Sequence, residues 1–255
     1  MNSEDNKSLR SIFNAEKADK DSVFVFDLDC ALVDTRPLYD QMRVNAANLL
    51  VEQTGLTYDE AMEATWDALI QYNGYVREAF YDRYGIDKTL TTHAVYNPET
   101  MDMSTLSIPD RIFDMLEGME GKVYLYTNST SEYAFAMLEA LGIEKYFDGI
   151  YGTDSLDYTR KPDPQALQAF MDKTGAKAEN IWFFEDSIEN LKAAKEMGWH
   201  TILVTEFMEG NLHQKERQEL SISVDRILQS LGELTKGDTK EQPSNPNTAK
   251  TGRNP

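Results

Sequence analysis

No part of this chain limits its folding more than the stretch from Ser22 to Asp34. Residues 22–26 are almost unbroken apolar and rich in Val and Phe. That is the pattern of a strand buried on both faces, as in a parallel sheet covered by helices. Two carboxylates one residue apart, Asp27 and Asp29, follow at once. In open parallel sheets ligands sit beyond the carboxyl ends of the strands, so both acids fall where chemistry usually happens. Two anions this close repel each other, and a site that keeps both holds a cation or shares a proton. Taken alone, the stretch is also compatible with a strand closed by an Asx turn, with Asp34 in water. The rest of the chain has to choose.

Length and composition narrow the field. The 255 residues suit one large domain or two smaller ones, and 41% hydrophobic residues with 11% aromatic suffice for a core. A net charge of -19 argues against a nucleic-acid polymer as partner, since such proteins cluster Lys and Arg. The single cysteine fits a reducing, cytoplasmic setting. The first 20 residues lack the apolar core of a signal peptide, and no apolar run reaches membrane-spanning length. His93, His200 and His213 are scattered, which leaves no zinc constellation. That charge suits a soluble protein that repels its own copies, and monomer or homodimer stays open.

Taken in order, residues 1–20 read as a loose arm and 22–27 as the first strand. Residues 36–95 are helical in pattern. Pro37 suits a first helical turn, Gly55 closes that helix, and Thr57 with Glu60 forms a capping box. Ala61, Met62, Thr65, Trp66, Leu69 and Ile70 make one stripe, and a third helix spans 75–84. From Pro109 strands and helices alternate: helix 109–117, strand 122–126, helix 130–141, a short strand near 149–152, a helix capped by Asp163 and opened by Pro164, strand 180–184, helix 188–197, strand 200–204 and a last helix at about 222–234. The tail 236–255 lacks large apolar residues and is expected to be disordered. The expected fold is α/β, a doubly wound parallel sheet, Rossmann-like, formed by residues 21–35 and 106–235, with an α-helical cap inserted at 36–105.

Three predicted strands end in polar groups that suit one chemistry. The first offers Asp27 and Asp29, the second Thr127 and Asn128, and the third Glu185 and Asp186. Lys161 stands in a proline-stiffened loop before a helix. Carboxylate oxygens without His or Cys suit Mg²⁺. A hydroxyl, a backbone amide and a lysine suit the oxygens of a phosphoryl group.

On these motifs, Asp27-Leu28-Asp29, Tyr126-Thr127-Asn128-Ser129, Lys161-Pro162-Asp163-Pro164 and Phe184-Glu185-Asp186-Ser187, the chain resembles the haloacid dehalogenase-like hydrolase superfamily over residues 22–205. The resemblance implies a phosphatase mechanism. Asp27 would be the nucleophile, forming an aspartyl-phosphate, and Asp29 the general acid and base. Thr127 and the Asn128 amide would hold phosphoryl oxygens, and Lys161 would neutralise charge. Mg²⁺ would be held by Asp27, the carbonyl of Asp29 and Asp186, with Glu185 directly or through water. Dehalogenases of this fold lack an acid at the place of Asp29, which argues against dehalogenation. Cys30-Ala31 departs from the Gly or Thr pair of many relatives, and Cys30 reads as a small packed residue.

The helical insertion, with Tyr72 before Asn73-Gly74 and with Thr92-His93, is similar to that of pyrimidine 5'-nucleotidases of the same superfamily. That resemblance implies a small phosphorylated substrate, a pyrimidine nucleoside 5'-monophosphate, with Tyr72 and His93 in its binding site. A tyrosine on such a helical face is more often packed, and a lone histidine more often a satisfied structural one than a ligand. A sugar or glycolate phosphatase, or a phosphosugar mutase or phosphotransferase, is the alternative. A binding module on an inactive scaffold would lack a catalytic group, and none of Asp27, Asp29, Lys161 or Asp186 is missing.

Overall fold

The structure, a computed structural model, describes residues 21–72, 74–208, 220 and 224–235. The expected leading arm and disordered tail lie outside the described residues.

The alternation of strand and helix becomes a single parallel sheet. Its strands are β1 (Val23–Phe26), β2 (Lys122–Tyr126), β3 (Gly149–Tyr151), β4 (Ile181–Glu185), β5 (His200–Val204) and β6 (Arg226–Leu228). They lie in the order β3-β2-β1-β4-β5-β6. Every pairing is parallel. The chain winds outward from β1 to one edge, then returns to β4 and winds to the other. The carboxyl end of β1 therefore lies at the point where strand order reverses, where open α/β sheets bind ligands.

Side chains of a strand alternate between faces, and a doubly covered sheet must bury both sets. Phe24 and Phe26 join one apolar cluster, together with residues of α5 (Ile112–Glu117) and α6 (Ser131–Leu141). Val23 and Val25 join a second cluster, with residues of α7 (Pro164–Thr174) and α8 (Ile188–Glu196). Phe26 stacks on Phe184 of the neighbouring strand, with ring centroids 4.5 Å apart.

A third cluster has its buried residues between Ala46 and Ile86, with Ala94 and Val95 packed against it. It holds together the cap helices α1 (Tyr39–Thr54), α2 (Tyr58–Gln71), α3 (Val76–Tyr84) and α4 (Lys88–Val95). The capping box forms as its sequence requires: Thr57 N–H donates to Glu60 at 2.9 Å, and Glu60 N–H to Thr57 Oγ1 at 3.4 Å. Gly55 ends α1 at φ +74°, a conformation that favours glycine.

Two expectations fail. The helix expected at about 222–234 is absent from residues 224–234, the part of that stretch the structure describes. Residues 226–228 pair with β5 as the sheet's edge strand, and Leu231–Leu234 make one 3₁₀ turn. Val224, Leu228, Leu231 and Leu234 are all buried, so their helix-like spacing serves two core clusters through a strand and a turn. The stripe on α2 also divides. Ala61, Thr65 and Ala68 are buried, whereas Trp66 and Ile70 are 53% and 62% exposed. Helix packing here favours the small side chains, which let α1 and α2 approach closely.

Phe183 lies at the centre of this arrangement, fully buried on β4 and 5.5 Å from Trp199 ring to ring. Phe183→Ala is expected to lower the unfolding free energy by about 3–5 kcal/mol in urea titrations. A loss below about 1 kcal/mol would mean that this site tolerates collapse.

Candidate active site

β1 delivers its first acid with the sheet still in register, since Asp27 N–H donates to Phe184 O at 2.9 Å. The chain then turns sharply, with Cys30 N–H donating to Val33 O at 2.9 Å and Val33 N–H to Leu28 O at 3.0 Å. Cys30 takes φ +62°, in the left-handed region that glycine enters most easily. Its sulfur lies 3.0 Å from the Tyr39 hydroxyl, joining the core turn to the first cap helix. Burial pushes its thiol up, which suits a packed residue and not a reactive one.

Lys161 is fully buried. Its amine donates to Asp27 Oδ1 at 2.6 Å, Tyr126 O at 2.8 Å and Glu185 Oε2 at 2.8 Å, so its three protons all have acceptors. Burial alone would push the amine down, but the Asp27 and Glu185 charges outweigh it and hold it above the ordinary lysine value. Asn128 fixes the loop that carries this lysine. Its Nδ2 donates to Lys161 O and its Oδ1 accepts from Lys161 N–H, both at 2.9 Å. Its side chain thus acts on Lys161, a role beyond the backbone amide expected of it.

Thr127 could have been the cap of the following helix. Thr130 is the cap instead, accepting from Tyr133 N–H at 3.2 Å. The Thr127 hydroxyl accepts from Ser129 N–H at 3.1 Å and points to Asp29 Oδ2 at 3.5 Å. Tyr133 donates to the other oxygen of Asp29 at 3.2 Å. Burial pushes Asp29 up to about 6, against the lowering effect of the hydrogen bonds from Thr35, Tyr133 and Thr127.

Asp27, Glu185 and Asp186 bring carboxylate oxygens within 4.8 Å of one another. Burial, then the Glu185 charge, drives Asp27 well above the carboxylate range despite Lys161. Burial, then the Glu185 and Asp27 charges, raises Asp186 as well. Glu185 is held low in spite of burial by the Lys161 charge and its donors. One amine cannot balance these acids, and a hard divalent cation with oxygen ligands is what the surplus charge fits. Glu185 is already saturated by Lys161, Asn190 Nδ2 and the amides of Asp186 and Ser187. The direct ligand roles therefore suit Asp27 and Asp186, with Glu185 behind them.

These groups open into a cavity of about 570 Å³ between sheet and cap, lined by Asp27, Asp29, Thr127, Asn128, Glu185 and Asp186 from the core. The sequence matches the haloacid dehalogenase-like hydrolases over residues 24–204. The chain belongs to that family. It is 26% identical to a phosphoglycolate phosphatase of Yersinia pestis over 71% of this chain and 79% of that one. It is 25% identical to phosphate metabolism protein 8 of Saccharomyces cerevisiae over 80% of this chain and 70% of that one. In fold it is similar to a phosphatase of this family from Thermococcus onnurineus, at a TM-score of 0.59 and 19% identity, over 84% of this chain and 95% of that one.

In this haloacid dehalogenase-like hydrolase, the expected core residues converge and two expected cap residues do not. Neither Tyr72 nor His93 is among the cavity-lining residues. The Tyr72 hydroxyl donates to Asp82 at 3.3 Å, and Arg83 lies over its ring. His93 Nε2 lies 2.8 Å from the Tyr158 hydroxyl, a contact that joins cap to core. The cap side of the cavity is lined instead by Trp66, from the apolar stripe on α2, by Tyr75 and Tyr96, and by Arg77 and Arg160, two arginines that no periodicity or motif singled out. The Arg160 position, directly before Lys161, was the one available signal.

Raised carboxyl groups stabilise the metal-free fold while they hold their protons. For Asp29 that contribution is present at low pH and lost as pH rises through about 6. A cation bound by Asp27 and Asp186, whose charges burial and Glu185 disfavour, should add stability where those acids ionise. Saturating Mg²⁺ is expected to raise Tm by roughly 5 °C at pH 7.5, corresponding to about 2–3 kcal/mol. The increment should shrink as pH falls, because protons that burial favours on Asp27 and Asp186 then compete with the cation. An increment of equal size at pH 5, or none at pH 7.5, would contradict the assigned acids.

Proposed function

We propose that this chain is a Mg²⁺-dependent phosphomonoesterase that acts through an aspartyl-phosphate on a small phosphorylated acid or sugar of the phosphoglycolate type. The observation that carries it is the buried amine of Lys161 seated on Oδ1 of Asp27, an acid that lines one cavity together with Asp29 and Thr127.

Lys161 holds Oδ1 of Asp27, so the other carboxylate oxygen is the one presented to phosphorus. As that oxygen bonds to phosphorus, the ester oxygen leaves and takes a proton from Asp29, a carboxyl that burial keeps protonated to unusually high pH. Asp29 then removes a proton from water, whose oxygen attacks phosphorus and releases phosphate and the Asp27 carboxylate. Thr127 and the amide of Asn128 bind phosphoryl oxygens. Asp27, the Asp29 carbonyl and Asp186 would hold a Mg²⁺, which would supply charge to screen the phosphate from its anionic nucleophile. Asp29 separates this reaction from dehalogenation, which needs no leaving-group acid.

A pyrimidine nucleotide is the weaker substrate reading. It leaned on Tyr72 and His93, whose side chains are engaged with Asp82 and Tyr158. The phosphoglycolate phosphatases among the curated relatives support the smaller acid or sugar phosphate instead.

A phosphate-release screen with Mg²⁺ should rank phosphoglycolate and hexose phosphates above UMP and CMP. Asp27→Asn should reduce release by at least about 10³-fold with the fold intact by circular dichroism. Preference for UMP and CMP would return the nucleotide reading, and a fully active Asp27→Asn would remove the nucleophile.

A further inference from the structure

The cavity has two ends of opposite character. At the core end lie the acids. At the cap end, Arg77 from the first turn of α3 and Arg160 from the loop before Lys161 line the same space. Their side chains are only 14% and 20% exposed, so both charges are largely withdrawn from water. Guanidinium groups so placed need anionic partners.

One carboxylate serves both. Arg77 Nε donates to Glu78 Oε1 at 2.9 Å, and Arg160 Nη2 lies 3.4 Å from Glu78 Oε2. That second oxygen forms no hydrogen bond, so the Arg160 contact is one of charge alone. Both terminal nitrogens of Arg77 reach Tyr158 O, at a long 3.4 Å. Arg160 is stacked on the Tyr75 ring, its guanidinium carbon 3.7 Å from the centroid, which fixes its plane and leaves its N–H edges for in-plane partners. Each guanidinium has five donors, and these contacts engage only a few of them. A third arginine on the wall, Arg43, differs in kind: its charge is matched by Asp40 at 2.7 Å and covered by Trp66. Lys161 is consumed by Asp27 and Glu185, so the positive field toward the cap comes from Arg77 and Arg160.

We infer that Arg77 and Arg160 together form an anchor for a carboxylate on the non-reacting end of the substrate, so that the preferred esters are phosphorylated hydroxy acids. The inference rests on the phosphatase reading and names the substrate chemistry of the same site. The planar fork of a guanidinium matches a carboxylate, and two forks sharing one glutamate leave one positive charge for it. Bound this way, the acid end lies against the cap while the phosphate faces Asp27. Glu78 competes with the substrate for the same donors and holds the two arginines together while the site is vacant. Binding energy at this end is made before and during the chemical step alike, so its loss should appear in KM more than in kcat.

The test compares phosphoglycolate with 2-hydroxyethyl phosphate, which replaces the carboxylate with a neutral alcohol, on the full chain with Mg²⁺. The wild-type protein should favour the acid in kcat/KM by about tenfold or more, as expected for charge-assisted hydrogen bonds. Arg160→Gln and Arg77→Gln should each collapse that ratio by about tenfold, mostly through KM. Glu78→Gln should move the ratio the other way, a sign that damage to the fold would not produce. A wild-type ratio near one overturns the anchor, as does a Glu78→Gln ratio that falls like that of the arginine variants. Equal loss on both esters in the arginine variants, with unaltered melting curves, overturns it as well. If neither ester nor p-nitrophenyl phosphate releases phosphate, the phosphatase reading fails first and the anchor fails with it.

Discussion

The buried ammonium of Lys161 between two carboxylates holds the site together. An unpaired amine at this depth would lose its proton or force the chain open. With Asp27, Glu185 and the Tyr126 carbonyl around it, every proton is used. The acceptors come from the ends of three adjacent strands, and the donor from a loop beyond a fourth. One charge thus ties together segments that are far apart in sequence. Removing either member leaves a buried charge without its partner, which costs about 3–5 kcal/mol, so site and fold are coupled at this point.

The arrangement pairs that clamp with an imbalance of charge. Asp27, Asp29, Glu185 and Asp186 outnumber the one amine among them, and burial drives three of the four upward. A chain with net charge -19 would repel an anionic substrate from such a place. Two features oppose that repulsion. The acids themselves fit a divalent cation, and cap and core loop together set two guanidinium groups against the far end of the cavity. The helical insertion contributes Arg77 to that charge and the core loop before Lys161 contributes Arg160.

Much of this is legible in the sequence. β1 and β4 stand out as apolar runs ending in acids, because strands buried on both faces leave no room for polar residues until the chain escapes the sheet. The caps at Thr57 and Asp163 are equally local, since each turns on residues two or three apart. What sequence cannot carry is tertiary choice. The spacing of Val224, Leu228, Leu231 and Leu234 suits a helix, yet the open edge of β5 recruits a strand there. Tyr72 and His93 read as facing the substrate, but their neighbours Asp82 and Tyr158, ten or more residues away, decide otherwise. Arg77 and Arg160 look like any surface arginines until the fold brings cap and core loop to one cavity.

The chemistry stands or falls on Asp27 taking the phosphoryl group. Acid-quenching the Mg²⁺-supplemented protein during turnover of phosphoglycolate, followed by peptide mass spectrometry, would show that group directly. One added phosphoryl group is expected on the peptide that contains Asp27, and none in Asp27→Asn. A phosphoryl group on any other residue, or rapid phosphate release with no modified peptide at any quench time, would rule Asp27 out as the nucleophile.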